Sequence, residues 1–159
     1  MTNLNKYDKL KNYELLLAQC AEVVKYEKHW VPALANISAL LHDALGAPVF
    51  SGFYFFDGKE LVLGPFQGKL SCTRIALGRG VCGESAEKRE TIVVDDVYDI
   101  DNYISCDAEA VSEIVVPIVQ NDTLVGVIDL DSSVEGNYDE VDVRHLEKLA
   151  QIIADNVEF

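Results

Sequence analysis

The stretch Ala47-Pro-Val-Phe-Ser-Gly-Phe-Tyr-Phe-Phe-Asp-Gly-Lys-Glu-Leu-Val-Leu-Gly-Pro-Phe66 decides the architecture. β-Branched and aromatic residues flank Asp57-Gly58, a dipeptide suited to turns that need positive φ, so the segment reads as an antiparallel hairpin. A second hairpin follows downstream, where the apolar runs Glu113 to Val119 and Leu124 to Leu130 are joined by Gln120-Asn121-Asp122-Thr123. Between the hairpins the glycines Gly68, Gly78, Gly80 and Gly83 set off a short strand, Thr73 to Leu77, from a short helix opening near Gly80. Thr91 to Val94 reads as a short buried strand. Asp95 to Asp107, polar and rich in aspartate, reads as a surface loop that carries Cys106.

Helical patterns enclose this strand-rich middle. Leu10, Tyr13, Leu17, Cys20 and Val24 recur three and four apart and predict an amphipathic helix over about 7–26. Pro32 suits a first helical turn, and Leu34, Ile37, Leu41 and Leu45 continue a second stripe until Gly46 ends it. Val141, Leu146, Leu149, Ile152 and Ile153 place a last helix within Tyr138 to Val157. An antiparallel sheet with helices at both chain ends is an α+β fold, with the terminal helices packed on one face and a ligand pocket under loops on the other. The 159 residues fit a single domain, 1–159, with its core over about 30–157. A chain of that length buries about 70% of its unfolded surface without needing disulfides as scaffold.

Thirteen Lys and Arg against 27 Asp and Glu give a formal charge of −14. That balance repels nucleic acid and anionic lipid and excludes polyanionic partners. The opening MTNLNKYDKLKN has no basic segment followed by an apolar one, and no apolar run approaches the roughly 20 residues that span a bilayer. A cytoplasmic protein, away from the membrane, is expected.

Four cysteines carry the chemistry to be weighed. Cys20 lies on the apolar stripe of the first helix and reads as a small hydrophobe. Cys106, in Tyr-Ile-Ser-Cys-Asp, sits in a polar loop where solvent or substrate can reach a thiol, although a plain surface cysteine fits as well. Cys82, in Gly-Arg-Gly-Val-Cys-Gly, opens a helix whose N-terminal dipole, with Arg79 beside it, is suited to lowering a thiol pKa; a small residue filling a tight turn is the alternative. Cys72 precedes a short strand and says little alone. No CxxC or HxxxH pair occurs, so no metal is expected. His29, His42 and His145 fall in the terminal helical segments as ordinary surface or interface residues.

Asp129 and Asp131, two apart in Val-Gly-Val-Ile-Asp-Leu-Asp-Ser, point to one face of the sheet if the strand persists. Alone they also fit turn-initiating residues at a strand end. Glu113 starts the partner strand of the same hairpin, close in sequence to the Cys106 thiol, so the three acids can converge on one cationic ligand.

The motifs Gly64-Pro-Phe-Gln-Gly, Cys72, Gly78-Arg-Gly-Val-Cys-Gly, Ile104-Ser-Cys-Asp, Ser112-Glu-Ile-Val-Val-Pro and Val127-Ile-Asp-Leu-Asp-Ser together resemble the GAF-domain free methionine-(R)-sulfoxide reductases over roughly residues 30 to 155. The resemblance implies a GAF-like fold and reduction of free L-methionine (R)-sulfoxide to methionine. It implies Cys106 as nucleophile, Cys72 as main resolving cysteine and Cys82 as a third redox cysteine. Glu113, Asp129 and Asp131 are then the acids that hold the substrate ammonium, with Tyr54, Phe50 and Ile104 as pocket walls. Family members commonly carry Trp-Val-Gly-Phe-Tyr where this chain has Phe50-Ser-Gly-Phe-Tyr, which replaces an indole by a smaller apolar wall. No bound cofactor is implied; the external reductant is thioredoxin, served by thioredoxin reductase and NADPH. Helical termini on one sheet face permit a homodimer. The runner-up reading is a non-catalytic small-molecule-binding or redox-sensing GAF domain, disfavoured because 159 residues leave no room for a fused output domain. Three carboxylates beside Cys106 oppose its thiolate, and the expectation is that a bound ammonium relieves that opposition.

Overall fold

The structure, a computed structural model, describes residues 6–46 and 48–159. Each predicted hairpin forms. Strand β1 (Phe50–Phe56) pairs antiparallel with β2 (Glu60–Gly68). At their turn Gly58 takes φ +96°, and the Asp57 carboxylate accepts the Lys59 and Glu60 amides, each at 2.9 Å. Strand β5 (Ser112–Gln120) pairs with β6 (Thr123–Ser132) across Asn121 and Asp122, both at positive φ. The short strands β3 (Arg74–Ala76) and β4 (Ile92–Val94) form the two edges of a six-stranded antiparallel sheet, in the order β3-β2-β1-β6-β5-β4.

Helices α1 (Lys6–Tyr26), α2 (Trp30–Ala44) and α4 (Glu140–Asn156) cover one face. Helix α2 packs on β1 and β2, α4 on β5, and α1 lies across both helices. The α1 stripe is wider than the sequence spacing implies: Leu16, facing the core between Tyr13 and Cys20, is fully buried, whereas Leu17 is only partly so. A helix wedged against two others needs that broader apolar face. One of its polar ties is deep. Asp142, 1% exposed, receives the Tyr13 hydroxyl at 2.7 Å and the Lys9 ammonium at 2.5 Å, and completes the α4 capping box by accepting the Asp139 amide.

The opposite face carries a second apolar cluster, built on Phe50, Tyr54, Val115 and Val127 and covered by α3 (Gly80–Lys88) and the loops on either side of it. The loop expected over 95–107 contains a 3-10 turn, Val97–Asp99, and is anchored rather than free-standing, because Val97 is completely buried.

Candidate functional site

Register brings the acids together. Gln120 pairs with Thr123 and Val119 with Leu124, but Ile118 pairs with Gly126, so Val125 is the extra residue of a β-bulge. Beyond it Glu113 stands directly opposite Asp131, with Phe50 on the other side of Asp131. Asp129 is flanked by Val115 and by Gly52, which has no side chain to fill the space. All three acids therefore face the α3 side of the sheet.

Helix α3 delivers Cys82 to them. Gly80 begins the helix at φ +60°, a left-handed conformation that other residues rarely adopt, and its amide binds the Asn102 carbonyl at 3.1 Å. A side chain at Gly80 would press on Ile104, so the glycine lets the loop close against the helix. Cys82 Sγ donates to Glu113 Oε1 at 3.8 Å. That sulfur and one oxygen each of Glu113 and Asp129 lie within 4.8 Å of one another. It is a compact donor set able to seat a cation, where the sequence led us to expect no metal. Asp129 is 3% exposed, and its Oδ1 has no hydrogen-bond partner.

Burial dominates the electrostatics. It pushes Asp129 up to about 7, partly offset by hydrogen bonds from Cys82 and Glu113. It raises Glu113 well above the usual carboxylate range, reinforced by Asp131 and Asp129, and it raises Asp131 likewise, reinforced by Asp129 and Asp107. Cys82 moves opposite to the direction expected from its helix N-terminus, because burial and then Asp129 and Glu113 hold the thiol protonated. Desolvation and nearby acids outweigh a helix dipole that acts only at short range.

Cys106, on the loop before β5, is joined to Cys72, on the loop between β2 and β3, by a disulfide with Cα atoms 5.3 Å apart. Tyr54, fully buried in β1, braces that bridge: its hydroxyl donates to the Cys72 carbonyl at 2.8 Å and, having one proton, accepts the Ser71 hydroxyl at 2.7 Å. Cys106, Cys82, Glu113, Asp129, Asp131, Tyr54 and Ile104 line one cavity of about 20 Å³, room for about one water. Phe50 does not line it; it stacks on Phe66 and Tyr54 at centroid distances of 5.2 and 6.1 Å, behind the cavity wall. Sequence reasoning missed Tyr103 and Arg79 as lining residues. Arg79 had been weighed only as a neighbour of Cys82, although a lone base beside a Gly-rich helix start was a signal for an anion. A larger groove of about 620 Å³ beside α4 and β5 contains no thiol and no acid cluster, so it is not the redox centre.

A GAF domain model matches residues 34–158. The chain is 42% identical over 160 residues to the free methionine-R-sulfoxide reductase of Saccharomyces cerevisiae, covering 96% of this chain and 87% of the relative. It is 43% identical over 123 residues to the enzyme of that name from Escherichia coli, covering 77% and 74%. The crystal structure of free methionine-R-sulfoxide reductase from Neisseria meningitidis, in complex with its substrate, superposes with a TM-score of 0.91 at 42% identity, covering 98% and 94%. A fold, a cysteine pair and an overall similarity that all coincide leave one assignment: this chain belongs to the GAF-domain free methionine-R-sulfoxide reductase family.

Proposed function

We propose that this chain reduces free L-methionine (R)-sulfoxide to methionine. The observation that carries the reading is a Cys72–Cys106 disulfide whose Cys106 lines the same cavity as three buried acids. Cys106 attacks the sulfoxide sulfur, the oxygen passes to the thiol as a sulfenic acid, and methionine departs. Burial raises the proton affinity of Glu113 and pushes Asp129 up to about 7, so this coupled pair can share a proton for the sulfoxide oxygen as its bond breaks while keeping negative charge for a cation. The Cys72 thiol then condenses with the sulfenic acid, releasing water and restoring the disulfide, while Cys82 stays in reserve as a third redox thiol.

The substrate is a zwitterion. Its ammonium fits the partnerless Asp129 Oδ1 with Glu113 and Asp131 around it, and Arg79 is the basic side chain at hand for its carboxylate. A peptide-bound residue lacks both charges and brings chain extensions that the enclosed site excludes. Tyr54 and Ile104 wall the methyl group, and Phe50 backs Tyr54. About 20 Å³ does not admit a ten-heavy-atom substrate, so binding belongs to the reduced form, in which the Cys106 segment is released. Thioredoxin, recycled by thioredoxin reductase and NADPH, reduces the disulfide in a cytoplasmic setting.

The test supplies separated sulfoxide epimers with thioredoxin, thioredoxin reductase and NADPH. NADPH consumption is expected with the free R epimer alone and is lost in Cys106→Ser. Binding without turnover overturns the reading in favour of a sensor.

A further inference from the structure

The two sulfurs of the bridge are not equivalent. Cys106 lines the acid cavity, and Cys72 does not. Cys72 instead belongs to a short loop pinned on both sides. The Lys69 amide binds the Val49 carbonyl at 2.8 Å and the Lys69 ammonium pairs with Glu109 at 3.3 Å, while Tyr54 holds Ser71 and the Cys72 carbonyl. Between these anchors Leu70 is 83% exposed. An apolar side chain held out two residues from a disulfide on a loop whose backbone is anchored is already presented in one place, so covering it costs little backbone entropy.

We propose that Leu70 is the docking contact for a dithiol protein reductant of the thioredoxin class and that this reductant attacks Cys72, not Cys106. The inference rests on the reductase reading, which requires the disulfide to be opened from outside. The reductant's thiolate bonds to Cys72 Sγ and the Cys72–Cys106 bond breaks. Cys106 leaves with the electron pair as a thiolate into the cavity, where the acids can return its proton. The reductant's second thiol then attacks its own sulfur in the mixed disulfide and releases Cys72 as a thiolate. One dithiol has been oxidised to a disulfide and one disulfide reduced to two thiols. Attack from this side leaves the nucleophile inside the substrate pocket throughout, and the pocket need not admit a protein.

Two measurements test this. Oxidised protein is mixed with a thioredoxin whose second active-site cysteine is replaced by serine, and the trapped mixed disulfide is mapped by peptide mass analysis. Linkage at Cys72 is expected; linkage at Cys106 overturns the assignment. Separately, Leu70→Ser is expected to raise the KM for thioredoxin about tenfold while Leu70→Met leaves it near wild type, and turnover driven by dithiothreitol stays unchanged in both. An unchanged thioredoxin KM in Leu70→Ser overturns the docking role. Trapping reads the disulfide alone, so it remains decisive even if wild-type protein with dithiothreitol fails to turn over methionine sulfoxide, the result that sinks the reductase reading itself.

Discussion

Two buried aspartates, one in a helix on one side of the sheet and one in a strand facing the other side, behave in opposite ways. Asp142, on α4 against α1, has a cation, a hydroxyl and an amide for its oxygens. Asp129, under α3 and the loops, is as deeply buried, yet it faces other acids and leaves one oxygen without a partner. Among the described residues the other such buried side-chain atom is the Tyr138 hydroxyl, which has no formal charge to satisfy. A carboxylate fully provided for by its own chain is fastening; one that is not holds a proton more tightly or gains from a cation, and the proposed substrate brings an ammonium.

Exchanging each carboxylate for a neutral group is the sharpest way to break this contrast. Asp129→Asn is expected to lower kcat/KM for free methionine (R)-sulfoxide by at least about thirtyfold, since removing one member of a buried charge pair costs about 2–5 kcal/mol. Steady-state kinetics with thioredoxin recycling measures it, and a near-normal value would erase the distinction. Asp142→Ala is expected to leave KM unaltered but to lose about 3 kcal/mol, removing the buried partner of the Lys9 ammonium and the acceptor of the Tyr13 hydroxyl, with a fall in Tm of about 6–12 °C by calorimetry.

The same contrast appears in pH. A group whose pKa is higher folded than unfolded stabilises the fold at low pH and loses that contribution as pH rises towards its folded value. For Asp129 this runs from its ordinary 3.8 up to about 7. Stability of the substrate-free protein should therefore fall across this window by up to about 1.4 kcal/mol per pH unit relative to Asp129→Asn, which lacks the titration. Chemical denaturation of both proteins from pH 5 to 8 checks the difference. In the reduced protein, a non-reactive methionine analogue should lower the Cys106 thiol pKa, as its ammonium neutralises the acids, and should bind far more weakly to the disulfide form. Titration by thiol reactivity and calorimetry reads both. Arg79→Ala carries the smallest effect, a rise in KM of about threefold to tenfold with kcat preserved, because an exposed base offers a substrate carboxylate only a screened attraction.

Much of the frame is legible in the residues. Asp57-Gly58 and Asn121-Asp122 mark both hairpins because each supplies the positive φ a tight turn needs. Alternation puts Asp129 and Asp131 on one face, as read. What was not legible is the row they share with Glu113. Counted out from the turn, Glu113 would meet Leu130, and only the bulge at Val125 shifts it to Asp131. Nor did the residues alone reveal the Cys72–Cys106 pairing across 34 positions, which came from the family resemblance. The Cys82 expectation failed because dipole and charge neighbours can be read along a chain, whereas desolvation is a property of the packed core.

The brace from Tyr54 to the Cys72 loop bears on how long a molecule of this protein lasts. A sulfenic acid on Cys106 that meets a second oxidant becomes a sulfinic acid and is lost to the cycle. The tyrosine keeps the Cys72 thiol waiting at the end of a fixed loop, so condensation is intramolecular and does not depend on a collision. On the proposed cycle, the hydroxyl of a core tyrosine that also lines the cavity would thereby favour disulfide formation over loss of the enzyme to a second oxidant.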